Sequence, residues 1–174
     1  DKAFFCGISM GGMTGQWLAI NHPERFHHLM LCNTAAKIGN EAVWADRAQL
    51  VREQGLDPIA TTAASRWFTA SFIDNHPDVV KALSEALAAG SSEGYASCCE
   101  ALSVADTREQ LKTIRVPVTV LVGSEDPVTT VADGQYMVDH IPNAKLATID
   151  ASHISNIEQP EAFNKLVRQY LNVQ

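Results

Sequence analysis

The chain has 174 residues, 46% of them hydrophobic and 19% charged, with a net charge of −7 from 20 acidic and 13 basic residues. That length fits one domain with a sizeable core, and a mean hydropathy of −0.05 excludes a disordered chain. The acidic balance, with no Lys/Arg cluster, excludes a nucleic-acid groove, and no apolar run reaches the roughly 20 residues of a membrane-spanning helix; the expectation is a soluble globular protein acting on small molecules.

In chain order, residues 3–8 form a short apolar run that reads as a strand and ends at Gly7-Ile8-Ser9-Met10-Gly11-Gly12. Met13, Trp17 and Ile20 then recur at helical spacing until His22-Pro23 stops the pattern. A second apolar run at 28–32 is a strand candidate, followed by a loop to Gly39. Strand, turn, helix and strand in that order make the βαβ unit of a parallel sheet. From 41 to 105 the chain is rich in Ala, Glu and Leu with no strand run. Val43, Trp44, Leu50 and Val51 suggest one amphipathic stripe, and Val79, Val80, Leu83 and Leu87 another. Breaks near Asp57-Pro58, His76-Pro77 and Gly90 predict four helices there. β-type alternation returns at 116–123, then a helix at 131–140, a strand at 145–149 and a last helix from Pro160. The fold class is therefore α/β at both ends, residues 1–40 and 106–174, with an all-helical insertion at 41–105.

Of the four cysteines, Cys6 and Cys32 fall in runs that read as buried strands, and Cys98 and Cys99 are adjacent. They have neither metal-ligand spacing nor the pattern of a disulfide scaffold, and fit a reducing, cytoplasmic compartment. The chain starts at Asp1 without an initiator Met, directly before a strand, so no signal peptide is excluded.

Gly7-x-Ser9-x-Gly11 is the strongest local signal. A Ser on a tight strand-to-helix turn needs small neighbours because its backbone is strained and its hydroxyl must stand exposed. The Met10 N–H then lies at a helix N-terminus, aimed where an oxyanion would form. A Ser hydroxyl is a weak nucleophile and needs a base, which in turn needs an orienting acid. Asp126, in Gly123-Ser124-Glu125-Asp126-Pro127, follows the 116–122 run at the sheet edge where ligands bind in open α/β sheets. Glu125 is the rival acid, one residue away and pointing elsewhere in an extended loop. His153 follows the 145–149 strand in the same way, whereas His22, His27, His28, His76 and His140 fall at helix ends, beside a strand or before a proline. The order Ser9, Asp126, His153 matches the α/β-hydrolase arrangement.

With these residues in view, the chain resembles the C-terminal two-thirds of an α/β-hydrolase, most specifically the 3-oxoadipate enol-lactonases of aromatic-compound catabolism. The general part of the likeness is Gly7 to Gly12, Asp126-Pro127 and Ser152-His153 with Glu158-Gln159-Pro160. The specific part is Cys32-Asn33-Thr34-Ala35-Ala36-Lys37-Ile38-Gly39, Arg66-Trp67-Phe68-Thr69 and Gly94-Tyr95-Ala96-Ser97-Cys98-Cys99. The resemblance implies a mostly parallel sheet with 41–105 as a helical cap, Ser9 as nucleophile, His153 as general base and acid, and Asp126 as its orienter. It implies a small lactone as substrate, no metal and no cofactor. Arg66 would offset the substrate's carboxylate in an acidic protein, the alternative being a solvated Arg on a helix face, and Trp67 and Trp44 would line the lid, the alternative being core packing of the helices. It further implies that the family's N-terminal strands, with a second oxyanion donor worth about 10²–10³ in kcat, are missing from this chain. The open edge at residues 3–8 would then be covered by that half or by another copy in a homo-oligomer. Two alternatives stay open: a general carboxylesterase, and an inert, self-associating fragment.

Overall fold

A computed structural model describes residues 1–171. Four apolar runs become β1 (Ala3–Ile8), β2 (Phe26–Cys32), β3 (Val118–Gly123) and β4 (Lys145–Ile149), all parallel, in the order β1-β2-β3-β4. The α-helices among the described residues are α1 (Met10–Asn21), α2 (Glu41–Gln54), α3 (Asp57–Thr61), α4 (Ala64–Trp67), α5 (Ala70–Asn75), α6 (Pro77–Ala88), α7 (Ser92–Val104), α8 (Val131–His140), α9 (Ser155–Glu158) and α10 (Pro160–Leu171). None of them is long and apolar enough to cross a membrane. The chain divides into two compact units, residues 1–36 with 106 onward, and residues 37–105.

The first unit holds the sheet. Parallel strands carry helices on both faces, so their side chains are apolar in both directions. Leu29 and Leu31 of β2 and Val120 and Val122 of β3 pack with Ala19 of α1 and Met137 of α8. Met30 and Cys32 of β2 and Leu121 of β3 pack with Ala147 and Ile149 of β4 and Leu171 of α10. Burial of each such Leu, Ile or Val stabilises the fold by about 1.5–3 kcal/mol. β3 is buried along its whole length, so the alternation expected at 116–123 is replaced by unbroken burial, and the strand starts two residues later.

α1 sits on the sheet through Gly12, Met13, Gly15, Gln16 and Ala19, while Trp17 is 53% exposed. Of the expected Met13, Trp17 and Ile20, Met13 is buried and Ile20 packs against the core, whereas Trp17 turns outward and Gly12 and Gly15 face the strands, where the helix lies close. A Cβ on Gly12 would stand 2.6 Å from Thr34 Cβ. Buried Gln16 also ties down the two ends of the insertion, donating to the Ala35 carbonyl at 3.0 Å and accepting from the Thr107 hydroxyl.

α8 shows the same closeness. A Cβ on Gly134 would overlap Val122 Cγ1, a branched atom inside the core. Ala is the better helix former by roughly 1 kcal/mol, but overpacking costs about 1–3 kcal/mol. Gly134→Ala is therefore expected to lower the urea midpoint. A raised midpoint would mean that the helix can back away from β3 at little cost.

The second unit is all helical, with six helices rather than the four expected. Three of them start at side-chain caps: Asn40 accepts from Val43 N–H, Thr69 from Phe72 N–H and Ser91 from Gly94 N–H. α3, α4 and α5 are too short to show a period. Its core comprises Ala48 and Val51 of α2, Leu56, Ile59, and Ala96 and Cys99 of α7, with Trp44 packed against it. Val43 and Val79 are exposed, so each stripe is narrower than the sequence suggests.

Cys6 is exposed on edge strand β1, which corrects the expectation that it is buried; Cys32 is buried. Their sulfurs lie 3.8 Å apart.

Candidate active site

The strand register brings three chain segments to one rim of the sheet. Ile8 pairs with Cys32, Cys32 with Leu121, and Gly123 with Ile149, so the residues that follow each strand leave the sheet side by side. At β1 that residue is Ser9, with φ 55° and ψ −117°, a left-handed backbone that costs a non-glycine residue on the order of 1–3 kcal/mol. Three hydrogen bonds hold it there. Ser9 N–H donates to the Cys32 carbonyl at 2.9 Å, and its own carbonyl accepts from Thr34 Oγ1 at 2.8 Å and Met13 N–H at 3.1 Å. A Cβ on Gly7 would overlap the Gly11 carbonyl, so the turn closes only around glycine there. A Cβ on Gly11 would meet nothing within 4 Å, so the expected need for a small residue on that side has no steric counterpart here. Met10 is the first residue of α1, where no helical carbonyl lies four residues back, so its N–H is one of the helix's unpaired donors.

Ser9 Oγ lies 2.9 Å from His153 Nε2, and His153 Nδ1 lies 2.8 Å from Asp126 Oδ2. The histidine and the acid behind it are buried, His153 5% exposed and Asp126 6%. The acid has five donors. Oδ1 accepts from the Val128 and Thr129 backbone N–H groups at 2.8 and 3.0 Å. Oδ2 accepts from Thr129 Oγ1 at 2.8 Å and Asn33 Nδ2 at 3.0 Å, besides His153. Burial alone would raise the Asp126 pKa, but the bond and charge of His153 and the Thr129 and Asn33 donors outweigh it and hold it below its ordinary value. The carboxylate is therefore ionised, and the imidazole Nδ1 donates to it, leaving Nε2 free to accept from the Ser9 hydroxyl. Such a chain can transfer a proton off Ser9 as its oxygen attacks an acyl carbon.

Glu125 points to solvent, as its one-residue offset suggests. His28, within β2 rather than beside it, bonds Thr119 Oγ1, and His140 bonds the Tyr136 carbonyl. Arg66, Trp67 and Trp44 belong to the helical unit and are each half-buried. Arg66 donates to Thr62 Oγ1 at 2.9 Å and to the Ile59 carbonyl at 3.5 Å, neutral acceptors both. Burial, then the charge of Arg47, lowers its pKa. Trp44 donates from Nε1 to the Ile38 carbonyl and carries the Arg47 guanidinium 5.0 Å from its ring centre, so its contacts are those of a structural residue.

The expected residues omit several that support the site. Asn33 and Thr34 directly follow β2, on the same rim as Ser9, and Thr129 stands three residues after Asp126, the spacing at which an Asp side chain caps a turn. Glu158 Oε2 accepts from the Ser152 N–H at 2.8 Å and so pins the residue before His153. A search for polar residues at every strand end would have found Asn33.

A family model described as the alpha/beta hydrolase fold matches residues 1–160. The 3-oxoadipate enol-lactonase 2 of Acinetobacter baylyi is 63% identical over 166 residues, 95% of this chain and 62% of that protein. The 3-oxoadipate enol-lactonase 1 of the same organism is 44% identical over 94% of this chain and 61% of its own length. Among solved structures, the enol-lactonase from Burkholderia xenovorans LB400 matches with a TM-score of 0.95 and 42% identity, covering 99% of this chain and 66% of that one. An esterase from Thermogutta terrifontis matches at 0.91 and 28%, covering 98% and 65%. The chain thus spans a little over three fifths of the curated enol-lactonases it matches. With the strand order, the strained Ser9 turn and this match along most of its length, the chain belongs to the alpha/beta hydrolase fold family.

Proposed function

We propose that this chain carries the nucleophile, acid and base of a serine hydrolase that opens 3-oxoadipate enol-lactone to 3-oxoadipate. The observation that supports it most is the unbroken hydrogen-bond chain from Ser9 Oγ through His153 to Asp126, in a sequence so similar to two enol-lactonases.

In this mechanism the Ser9 oxygen attacks the lactone carbonyl while its proton passes to His153 Nε2. The carbonyl oxygen becomes an oxyanion, and the Met10 N–H stabilises it. The ring C–O bond then breaks, the enol oxygen takes the proton from His153, and the enol becomes the ketone. Water, deprotonated by His153, attacks the Ser9 ester, and as the acyl–oxygen bond breaks His153 returns that proton to Ser9 Oγ, releasing the second carboxylate of the product. Asp126 keeps the imidazole in the tautomer that both steps require. Residues 41–105 serve as the family's helical cap. Arg66, whose hydrogen bonds go to neutral acceptors, receives the substrate's carboxylate as a charge-assisted partner, and Trp67 contributes apolar surface. Trp44 acts through the fold of the cap rather than on the substrate.

The likeness to the Thermogutta esterase favours general ester hydrolysis as the second reading. Relative kcat/KM for the enol-lactone and for p-nitrophenyl acetate separates the two. A preference for the lactone is expected, and a preference for the simple ester would remove the lactonase assignment.

A further inference from the structure

Asn33 has no part in the reaction just described, yet it is fully buried and sits in a left-handed backbone conformation, φ 42°, directly after β2. Its side chain has three partners on two separate loops of the chain, one after β3 and one after β4. Nδ2 donates to Asp126 Oδ2 at 3.0 Å and to the Ser152 carbonyl at 3.1 Å, while Oδ1 accepts from Ser155 Oγ at 2.6 Å. The amide can be oriented only one way. Exchanging its ends would set an oxygen against a carboxylate and a carbonyl, both acceptors. A Cβ on Gly123 would lie 2.9 Å from Nδ2, so the strand that precedes the acid loop also closes in on this group.

We propose that Asn33 is a positioning residue: its carboxamide fastens the Asp126 loop and the His153 loop to the end of β2 and so sets the Asp126–His153 contact. This rests on the hydrolase function proposed above. Asp126 and His153 stand on loops from β3 and β4, and the two residues of the second loop that Asn33 grips, Ser152 directly before His153 and Ser155 two positions after it, bracket the histidine. Thr129 also donates to Asp126 Oδ2, but from the acid's own loop, so it holds the carboxylate without tying it to the histidine. The two residues therefore separate support of the charge from registration of the loops. Displacement of a catalytic group by about 1 Å can cost on the order of 10² in rate.

Asn33→Gly removes the amide at a backbone conformation that glycine accepts without strain. Two readouts apply: the rate at which a fluorophosphonate labels Ser9, and the far-downfield proton resonance of the His153 Nδ1–H bonded to Asp126. The variant is expected to label roughly 10²-fold more slowly and to lose or shift that resonance. Thr129→Val is expected to lose much less in rate and to keep the resonance. Ser155→Ala, which leaves the amide but removes one tether, is expected to lose about tenfold, between the two. Wild-type labelling with an unchanged resonance in folded Asn33→Gly would overturn the proposal, as would a Thr129→Val loss equal to that of Asn33→Gly. If Asn33→Gly does not fold, wild-type behaviour of Ser155→Ala overturns it. A wild-type protein that is never labelled counts against the hydrolase function instead, and the resonance, which needs no turnover, still reads the bridge.

Discussion

His153→Gln is expected to lower kcat by about 10⁶ while leaving the fold intact. The size of the loss follows from the histidine acting in concert with Ser9: removing the base of such a unit costs about as much as removing the whole unit. Glutamine is close to histidine in volume and polar, so it can fill a site that is 5% exposed. It can neither take the Ser9 proton nor return it to the leaving oxygen. The Ser9 backbone strain is held by hydrogen bonds to Cys32, Thr34 and Met13, whereas the imidazole bonds Asp126 and the Ser9 hydroxyl, so the turn survives the substitution. Far-UV circular dichroism and the thermal midpoint report the fold, and steady-state hydrolysis reports the loss. Activity within tenfold of wild type would send the search for the base to another histidine.

Asp126→Asn is expected to cost about 10⁴ in kcat, through an effect legible in the donor geometry. Oδ1 faces two backbone N–H groups, of Val128 and Thr129, which cannot turn away. An asparagine must place its carbonyl oxygen there, and its NH₂ then faces His153 Nδ1. That nitrogen becomes an acceptor, the imidazole proton moves to Nε2, and Nε2 can no longer accept from the Ser9 hydroxyl 2.9 Å away. The new NH₂ also meets the Asn33 Nδ2 donor, a second mismatch. Stability follows the acid's titration. Asp126 is held below its ordinary value of 3.8, so its ionised form stabilises the fold above that pH, and the contribution is lost as pH falls through the folded value. The wild type should therefore exceed Asp126→Asn in stability at pH 6, with the gap closing below about pH 4. A gap independent of pH would mean that the carboxylate charge is not what the five donors hold.

The parallel sheet was legible because strands buried on both faces leave unbroken apolar runs that stand out even in a short chain. The Ser9 turn was legible because glycine must flank it on the strand side. Residues 126 and 153 followed from the strand-end rule, and their side chains lie in hydrogen-bond contact with each other and, through His153, with Ser9. What stayed hidden obeys different physics. Periodicity says that α1 is amphipathic but not which side faces the sheet, and close packing chose Gly12 and Gly15 over Trp17. In the helical unit, helices of four to six residues have no measurable period, and of these α5 alone starts at a capping side chain, Thr69. Asn33 carries no motif of its own; its importance comes from three partners 93 to 122 positions away, which only the folded chain brings together.

One measurement addresses the central claim directly: intact-protein and peptide mass spectrometry after exposure to a fluorophosphonate. A single adduct on Ser9, absent from Ser9→Ala and strongly slowed in His153→Gln, is the predicted result. An adduct on a different residue, or equal labelling in Ser9→Ala, would contradict it.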